Sequence, residues 1–403
     1  MHFYEVTMDL EKQILGSLGA LSSWVIKNGW EGYDPFDIQE QRFFLFLNRN
    51  RYRRYLLSRL DEFAPIFWRR MLGVRPRVVP KAMGLFAAGF LDLHRLSGEE
   101  RYLSLAREAL DWLLANPSRG YSGLAWGLPF DWQTKILIPQ GTPCGVISHV
   151  IGDAFWEFYR FTGEVRYLDI CRSICEFFLR DLNQDLMGEG RICFSYTPLD
   201  HFHVHNENLF VAEFLIRIGS EVHEPEYIEL GLKAVEYTLS EQNPDGSLYY
   251  WAKAQDARKL IDHYHSGFEM RMLFSVWQLT GEKKVGEALR RYYDYYLANM
   301  VDESGLANIK PGKRYPVDIH GCAEAVFVNS VLLPEFPRAE KILAANARWT
   351  IENMQTDEGW FICKIIDLLG KKIKINAPYI RWGQAWMLRA LARAACVLNA
   401  KES

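Results

Sequence analysis

Acid–base side chains are gathered into a few short stretches of this 403-residue chain. The densest is Asp262-His263-Tyr264-His265-Ser266-Gly267-Phe268-Glu269. Histidine exchanges a proton near neutrality, and a carboxylate or phenol beside it can orient it, so this octet is equipped for general acid–base work. Met270, Leu273, Phe274 and Trp277 follow at helical spacing, which puts the octet where a loop turns into a buried helix. The free N–H groups of such a helix start also suit an anionic ligand group. A structural account competes with this one: Ser266 and Glu269 match a capping box, with Asp262 and the two histidines satisfying a loop. Three further stretches weaken that account. They are Asp200-His201-Phe202-His203-Val204-His205-Asn206-Glu207, Asp318-Ile319-His320 with Glu324, and Arg381-Trp382-Gly383-Gln384. Capping explains the aspartates but does not require the histidines, six of whose ten copies fall in the octet and the first two of these further stretches.

The elements that must carry these residues are helices. No series of alternating β-branched runs joined by Asn-Gly or Asp-Gly turns is present. Apolar stripes at helical period run through Leu103, Ala106, Leu110 and Leu113, through Leu168, Cys171, Cys175 and Phe178, and through Val285, Leu289, Tyr292 and Tyr296. Each follows a similar turn, at Ser97-Gly98-Glu99, Thr162-Gly163-Glu164 and Thr280-Gly281-Glu282, in which glycine ends one helix and an acidic residue begins the next. A second punctuation recurs at Gly32, Gly120, Gly188, Gly246, Gly305 and Gly359, and from Gly120 onward its spacing is 54 to 68 residues. That interval holds two helices and two loops. Six such units predict an all-α, single-domain (α/α)6 toroid, with an open solenoid as the alternative. The inner helices are expected to start near Lys81, Thr142, His205, His265, His320 and Tyr379 and to share one mouth. A long loop before the second start, containing Asp131 and Trp132, is expected to fold over that mouth.

Composition narrows the function classes. Half the chain is hydrophobic, with 13 Trp, 20 Tyr and 24 Phe, enough to build a large core and line a cleft. A net charge of −3 argues against a nucleic-acid partner. The seven cysteines are scattered and never form C-x-x-C, as expected of reduced thiols in a cytoplasmic protein. Neither a basic-then-apolar leader nor an apolar run of membrane-spanning length is read. Between Ile38 and Lys81, eleven basic residues face three acidic ones. With Phe43, Phe44, Phe46, Tyr52 and Tyr55 among them, this basic helical insertion at about 38–80 is expected to rest its Arg42–Arg77 stretch on an acidic membrane surface, at the inner face. The alternating histidines 201, 203 and 205, and 263 and 265, raise the question of zinc, but H-x-x-x-H spacing is missing and no metal is expected.

Gly32-Tyr33-Asp34-Pro35, Phe130-Asp131-Trp132-Gln133, Gly141-Thr142-Pro143 and His205-Asn206 resemble the six-hairpin proteins of bacterial and archaeal exopolysaccharide gene clusters. Some of those proteins are labelled aminolevulinic acid dehydratases, whose zinc pattern and alternating strands and helices are missing here. Arg381-Trp382 is similar to the C-terminal helical domain of heparosan glucuronyl C5-epimerases, whose β-rich domain has no counterpart in this chain. The resemblance implies a sugar or anionic polysaccharide substrate, no organic cofactor, and proton abstraction at C5 of a uronic acid. In that scheme Arg381, with Lys81, holds the carboxylate. His263 or His265 is one acid/base group, and Tyr264, His205 or His320 the other. Asp131, Trp132, Asn206, Glu324, Trp382 and Gln384 complete the contacts. Glycoside cleavage is the alternative, with its carboxylates drawn from Asp131, Asp262, Glu269, Asp318 and Glu324. A non-catalytic glycan-binding or scaffold role is the third reading.

Overall fold

The computed structural model describes residues 2–41, 50, 52, 53 and 61–402. In chain order the helices are α1 (His2–Asn28), α2 (Pro65–Met71), α3 (Pro80–Ser97), α4 (Glu100–Ala115), α5 (Gly145–Thr162), α6 (Val165–Arg180), α7 (His205–Val222), α8 (Pro225–Ser240), α9 (His263–Thr280), α10 (Lys283–Asn299), α11 (Ile319–Leu332), α12 (Ala339–Met354) and α13 (Trp386–Glu402). A π-helical turn, Ile380–Ala385, leads into α13.

Helices α3, α5, α7, α9, α11 and α13 form the inner ring. Each packs on the next, and α13 returns against α3, so the ring is closed. Helices α4, α6, α8, α10 and α12 each pack outside the inner helix that precedes them, and α1 supplies the outer partner of α13. This is the (α/α)6 toroid expected from the repeat, and the open solenoid is excluded.

Burial follows the layers. The outer helices bury one stripe, as α6 does through Tyr167, Cys171, Ile174, Cys175, Phe177 and Phe178. The inner helix α11 is buried on every side from Ile319 to Ser330, as a helix enclosed by neighbours must be. Three inner helices end at Gly98, Gly163 and Gly281, all in the left-handed conformation, where the glycine N–H returns to the carbonyl four residues back. In the third hairpin His223 takes that conformation instead.

Deeper along the inner helices lies a belt of buried charge. Arg217 meets Glu213 at 2.6 Å and Asp153 at 2.7 Å, while Arg389 meets Asp92 and lies 3.5 Å from Asp153. His149 adds a 2.8 Å contact to Glu213. All the loops entering the inner helices gather at one end of the ring. They carry short antiparallel pairs: β1 (Glu31–Gly32) with β2 (Arg77–Val78), β3 (Trp132–Gln133) with β4 (Leu137–Ile138), and β5 (Gln184–Leu186) with β6 (Ile192–Phe194). The largest sheet, β7 (Val317–Asp318), β8 (Lys364–Leu368) and β9 (Lys371–Ile375), was not anticipated by the sequence reading.

Candidate functional site

A cavity of 270 Å³ opens at the shared mouth, lined by Lys81, Asn206, Asp262, Tyr264, His265, His320, Arg381 and Trp382 together with the rings of Phe36, Trp132, Tyr196, Tyr250 and Phe268. A second, 550 Å³ cavity continues outward from it, sharing Phe36, Leu260, Asp262, Tyr264 and Trp382.

Asp262 stands at the N-cap of α9 and has two tasks. One carboxylate oxygen accepts the backbone N–H of His265 at 3.1 Å, and the other accepts from Nδ1 of the same histidine at 2.7 Å. The cap therefore also fixes the imidazole, and the Ser266–Glu269 capping box does not form. Because a carboxylate only accepts, Nδ1 carries the hydrogen, and Nε2 is left without a partner among the described residues. The His265 ring lies stacked 4.1 Å from Tyr250.

His320 is oriented in the same manner. Its Nδ1 donates to the carbonyl of Trp382 at 3.2 Å, and its ring stacks on the indole of that residue at 4.1 Å. Burial, with the cations Lys81 and Arg381 nearby, drives its pKa well below the ordinary value, so it is a neutral ring whose Nε2 bears a lone pair. Tyr264 lies between the two imidazoles, 4.3 Å from one and 4.9 Å from the other. Burial pushes its phenol up, and those of Tyr196 and Tyr250, so all three stay protonated donors.

Lys81 enters from the first turn of α3. Burial, then Arg381, lowers its amine to about 7. Its ammonium position lies 5.4 Å from the Trp386 ring and 5.8 Å from Phe268, and no carboxylate pairs with it among the described residues. Asn206 adds a buried carbonyl oxygen with no partner among the described residues. An unpaired buried acceptor in a cavity wall is a place for a ligand hydroxyl.

Several expected site residues lie elsewhere. His263 turns to the outer layer, with Nε2 3.0 Å from the Tyr296 hydroxyl. Residues two positions apart on a helix are about 200° apart around its axis, so His263 and His265 cannot both face the mouth. His205 likewise meets Thr238 of α8 at 3.4 Å, leaving its neighbour Asn206 to face the cavity. Glu269 accepts from Tyr292, and Glu324 pairs with Arg271 at 2.7 Å; neither lines the cavity. Asp131 accepts the N–H of Gln140 at 2.8 Å, a loop anchor. Gln384 is tied to both backbone groups of Phe361 at 2.8 Å. Its neighbour on the π-turn, Trp382, and Trp132 on β3 do line the cavity.

Arg381 reaches the cavity but is already engaged. Its Nε and Nη2 meet the two oxygens of Asp34 at 2.5 and 2.8 Å, a bidentate buried pair. Asp34 is held in turn by Asp37, whose carboxylate accepts the Asp34 N–H at 2.8 Å and pairs with Arg69 at 2.7 Å. Asp34, Tyr196 and Tyr250 join the site without being candidates from the sequence. The first sits in Gly32-Tyr33-Asp34-Pro35, which was visible as a motif; the tyrosines belong to loops with no signal of their own.

Among the described residues no group of three His, Cys, Asp or Glu side chains is arranged to hold a metal ion. His201 and His203 instead clasp Asp185 at 2.8 and 2.7 Å.

No family model and no curated protein matches the chain. Its three-dimensional structure is similar to that of an unsaturated glucuronyl hydrolase specific for heparin (TM-score 0.60, 13% identity, covering 98% of this chain and 98% of that one). It is similar also to a cellobiose 2-epimerase from Bacillus thermoamylovorans B4167 (TM-score 0.58, 14% identity, 81% and 88% covered) and a D-mannose isomerase (TM-score 0.58, 10% identity, 80% and 87% covered). At these identities the shared property is the fold, the (α/α)6 toroid.

Proposed function

We propose that the protein moves a proton on and off a carbon of a sugar, most specifically C5 of a uronic-acid residue, as an epimerase. The observation that carries this is the pair of imidazoles. His265 and His320, from adjacent inner helices, each have Nδ1 fixed by an acceptor and Nε2 left for a ligand. A proton beside a carboxylate is weakly acidic, so removal needs a base, a donor for the return, and positive charge or hydrogen bonds on the carboxylate. Neutral His320 supplies the base. His265, backed by the Asp262 carboxylate, supplies the proton to the opposite face. Lys81 is the cation available for the substrate carboxylate, since the charge of Arg381 is matched by Asp34. The aromatic walls suit the C–H face of a sugar ring, and the names of the structural neighbours include enzymes acting on glucuronyl groups, cellobiose and mannose.

Hydrolysis is poorly supported by the same geometry, because it needs two available carboxyl groups across the ring. Asp131, Asp262, Glu269, Asp318 and Glu324 are each engaged by a protein donor. Elimination shares the abstraction step and is supported by likeness to a polysaccharide lyase (TM-score 0.54, 12% identity, 80% and 90% covered). Incubation with uronic-acid oligosaccharides in deuterated water separates these outcomes. Deuterium at C5 without chain shortening is expected; unsaturated ends would show elimination, new reducing ends hydrolysis, and no exchange with retained binding a scaffold role.

A further inference from the structure

The segment before α3 has two faces with opposite character. Inward, Ile66 packs on the main core, Trp68 joins a small cluster with Ile38 and Val74, and Arg69 is buried between Asp37 and Asp61. Asp61, Glu62 and Pro65 line the outer cavity. Outward, Phe63, Phe67 and Met71 recur at four-residue spacing and are 56%, 59% and 56% exposed. Phe67 and Met71 share one face of α2 and Phe63 lies in the turn just before it; three large apolar side chains left in water this close together mark an interaction surface.

The surrounding charge identifies the partner. All three acidic residues between Ile38 and Lys81 are engaged inside the molecule: Glu40 with Arg77, Asp61 with Arg69, and Glu62 with Lys364. Of the basic residues, Arg69 and Lys81 are buried, and Arg77 is half-buried against Glu40. Arg53, Arg70 and Arg75 are exposed, as is Tyr52. Arg42, Arg49, Arg51, Arg54 and Arg59 lie outside the described residues and add five positive charges to the same stretch of sequence. Among the described residues of this stretch, every fully exposed charge is therefore positive.

We propose that this face docks on an anionic lipid bilayer, with Phe63, Phe67 and Met71 entering the interface and Arg53, Arg70 and Arg75 against the headgroups. Apolar insertion combined with basic flanks is the physical signature of such binding. Docking here would hold the outer cavity, lined by the other face of the same segment, beside the membrane surface.

Co-sedimentation with vesicles tests this. The full-length protein is expected to bind vesicles of phosphatidylcholine containing phosphatidylglycerol at least tenfold more tightly than phosphatidylcholine alone, and added salt should erode the difference. The triple variant Phe63→Ser/Phe67→Ser/Met71→Ser should bind at least tenfold more weakly. Arg53→Gln/Arg70→Gln/Arg75→Gln leaves the apolar face intact and should weaken binding likewise, with an unchanged circular dichroism spectrum and melting temperature. Equal affinity for both vesicle types at low salt overturns the proposal. So does binding to soluble heparin without binding to vesicles, or a concentration-dependent dimer that the apolar triple variant abolishes.

Discussion

His265 and His320 differ in what stands behind Nδ1, a carboxylate in one and a neutral carbonyl in the other, and the proposed division of acid and base rests on this asymmetry. Removing either imidazole should lower C5 exchange by about 10²–10⁴-fold. His320→Ala and His265→Ala should nevertheless retain oligosaccharide binding, measured calorimetrically; either variant exchanging at the normal rate is out of the mechanism. Arg381 behaves differently. Its removal leaves Asp34 buried and unpaired, so Arg381→Ala should cost about 3–5 kcal/mol of stability in denaturant titrations, rather than acting on turnover alone. Lys81 gives a pH signature. The folded amine titrates near 7 instead of 10.5, so between those values the unfolded chain binds the extra proton and stability rises with pH. Below about 7 the protein bears the full cost of a buried ammonium. Lys81→Met should therefore raise the melting temperature more at pH 6 than at pH 10, and a flat difference would show that the amine is solvated. The histidines were legible in the sequence as unusual polarity at helix starts. Which of them faced the mouth was not, because that depends on rotation about the inner-helix axis. The pairing of Arg381 with Asp34 joins residues 347 positions apart and leaves no local trace.

At the level of the elements, the helix starts expected near Lys81, Thr142, His205, His265, His320 and Tyr379 fall at Pro80, Gly145, His205, His263, Ile319 and Ile380. The agreement reflects how strongly a six-fold repeat constrains each unit. Left-handed glycines closing three inner helices were equally readable, and Gly163→Ala should cost roughly 1 kcal/mol, checked by urea unfolding, because an added Cβ is strained at φ 71°. Unchanged stability would mean that the turn relaxes to another geometry. The β8–β9 hairpin escaped notice for a specific reason. Its two-residue turn is Leu369-Gly370, both at positive φ, where Asn-Gly or Asp-Gly is the usual signal. The π-turn was also invisible, since nothing in the residue types announces the N–H of Gln384 returning to the carbonyl of Tyr379, five residues back. That widened turn sets Arg381 and Trp382 toward the cavity while Gln384 fastens the neighbouring loop.

For the molecule as a whole, ring closure depends on elements far apart in sequence. Helix α1 buries Leu10, Ile14, Leu18, Leu21 and Val25 and serves as the outer partner of α13. Burial of each such side chain contributes about 1.5–3 kcal/mol, so the stripe rivals the roughly 5–15 kcal/mol net stability of a typical domain. Deleting residues 2–28 should abolish the cooperative thermal transition seen by calorimetry; a variant that still melts sharply would make α1 an accessory. The same arrangement shapes how the protein is made. On the ribosome α1 emerges well before α13, the helix it covers, so its apolar stripe waits for that partner while the five intervening hairpins are translated. A chain closed in this way is expected to shield that stripe, with a chaperone or a transient contact of its own, until α13 has been made.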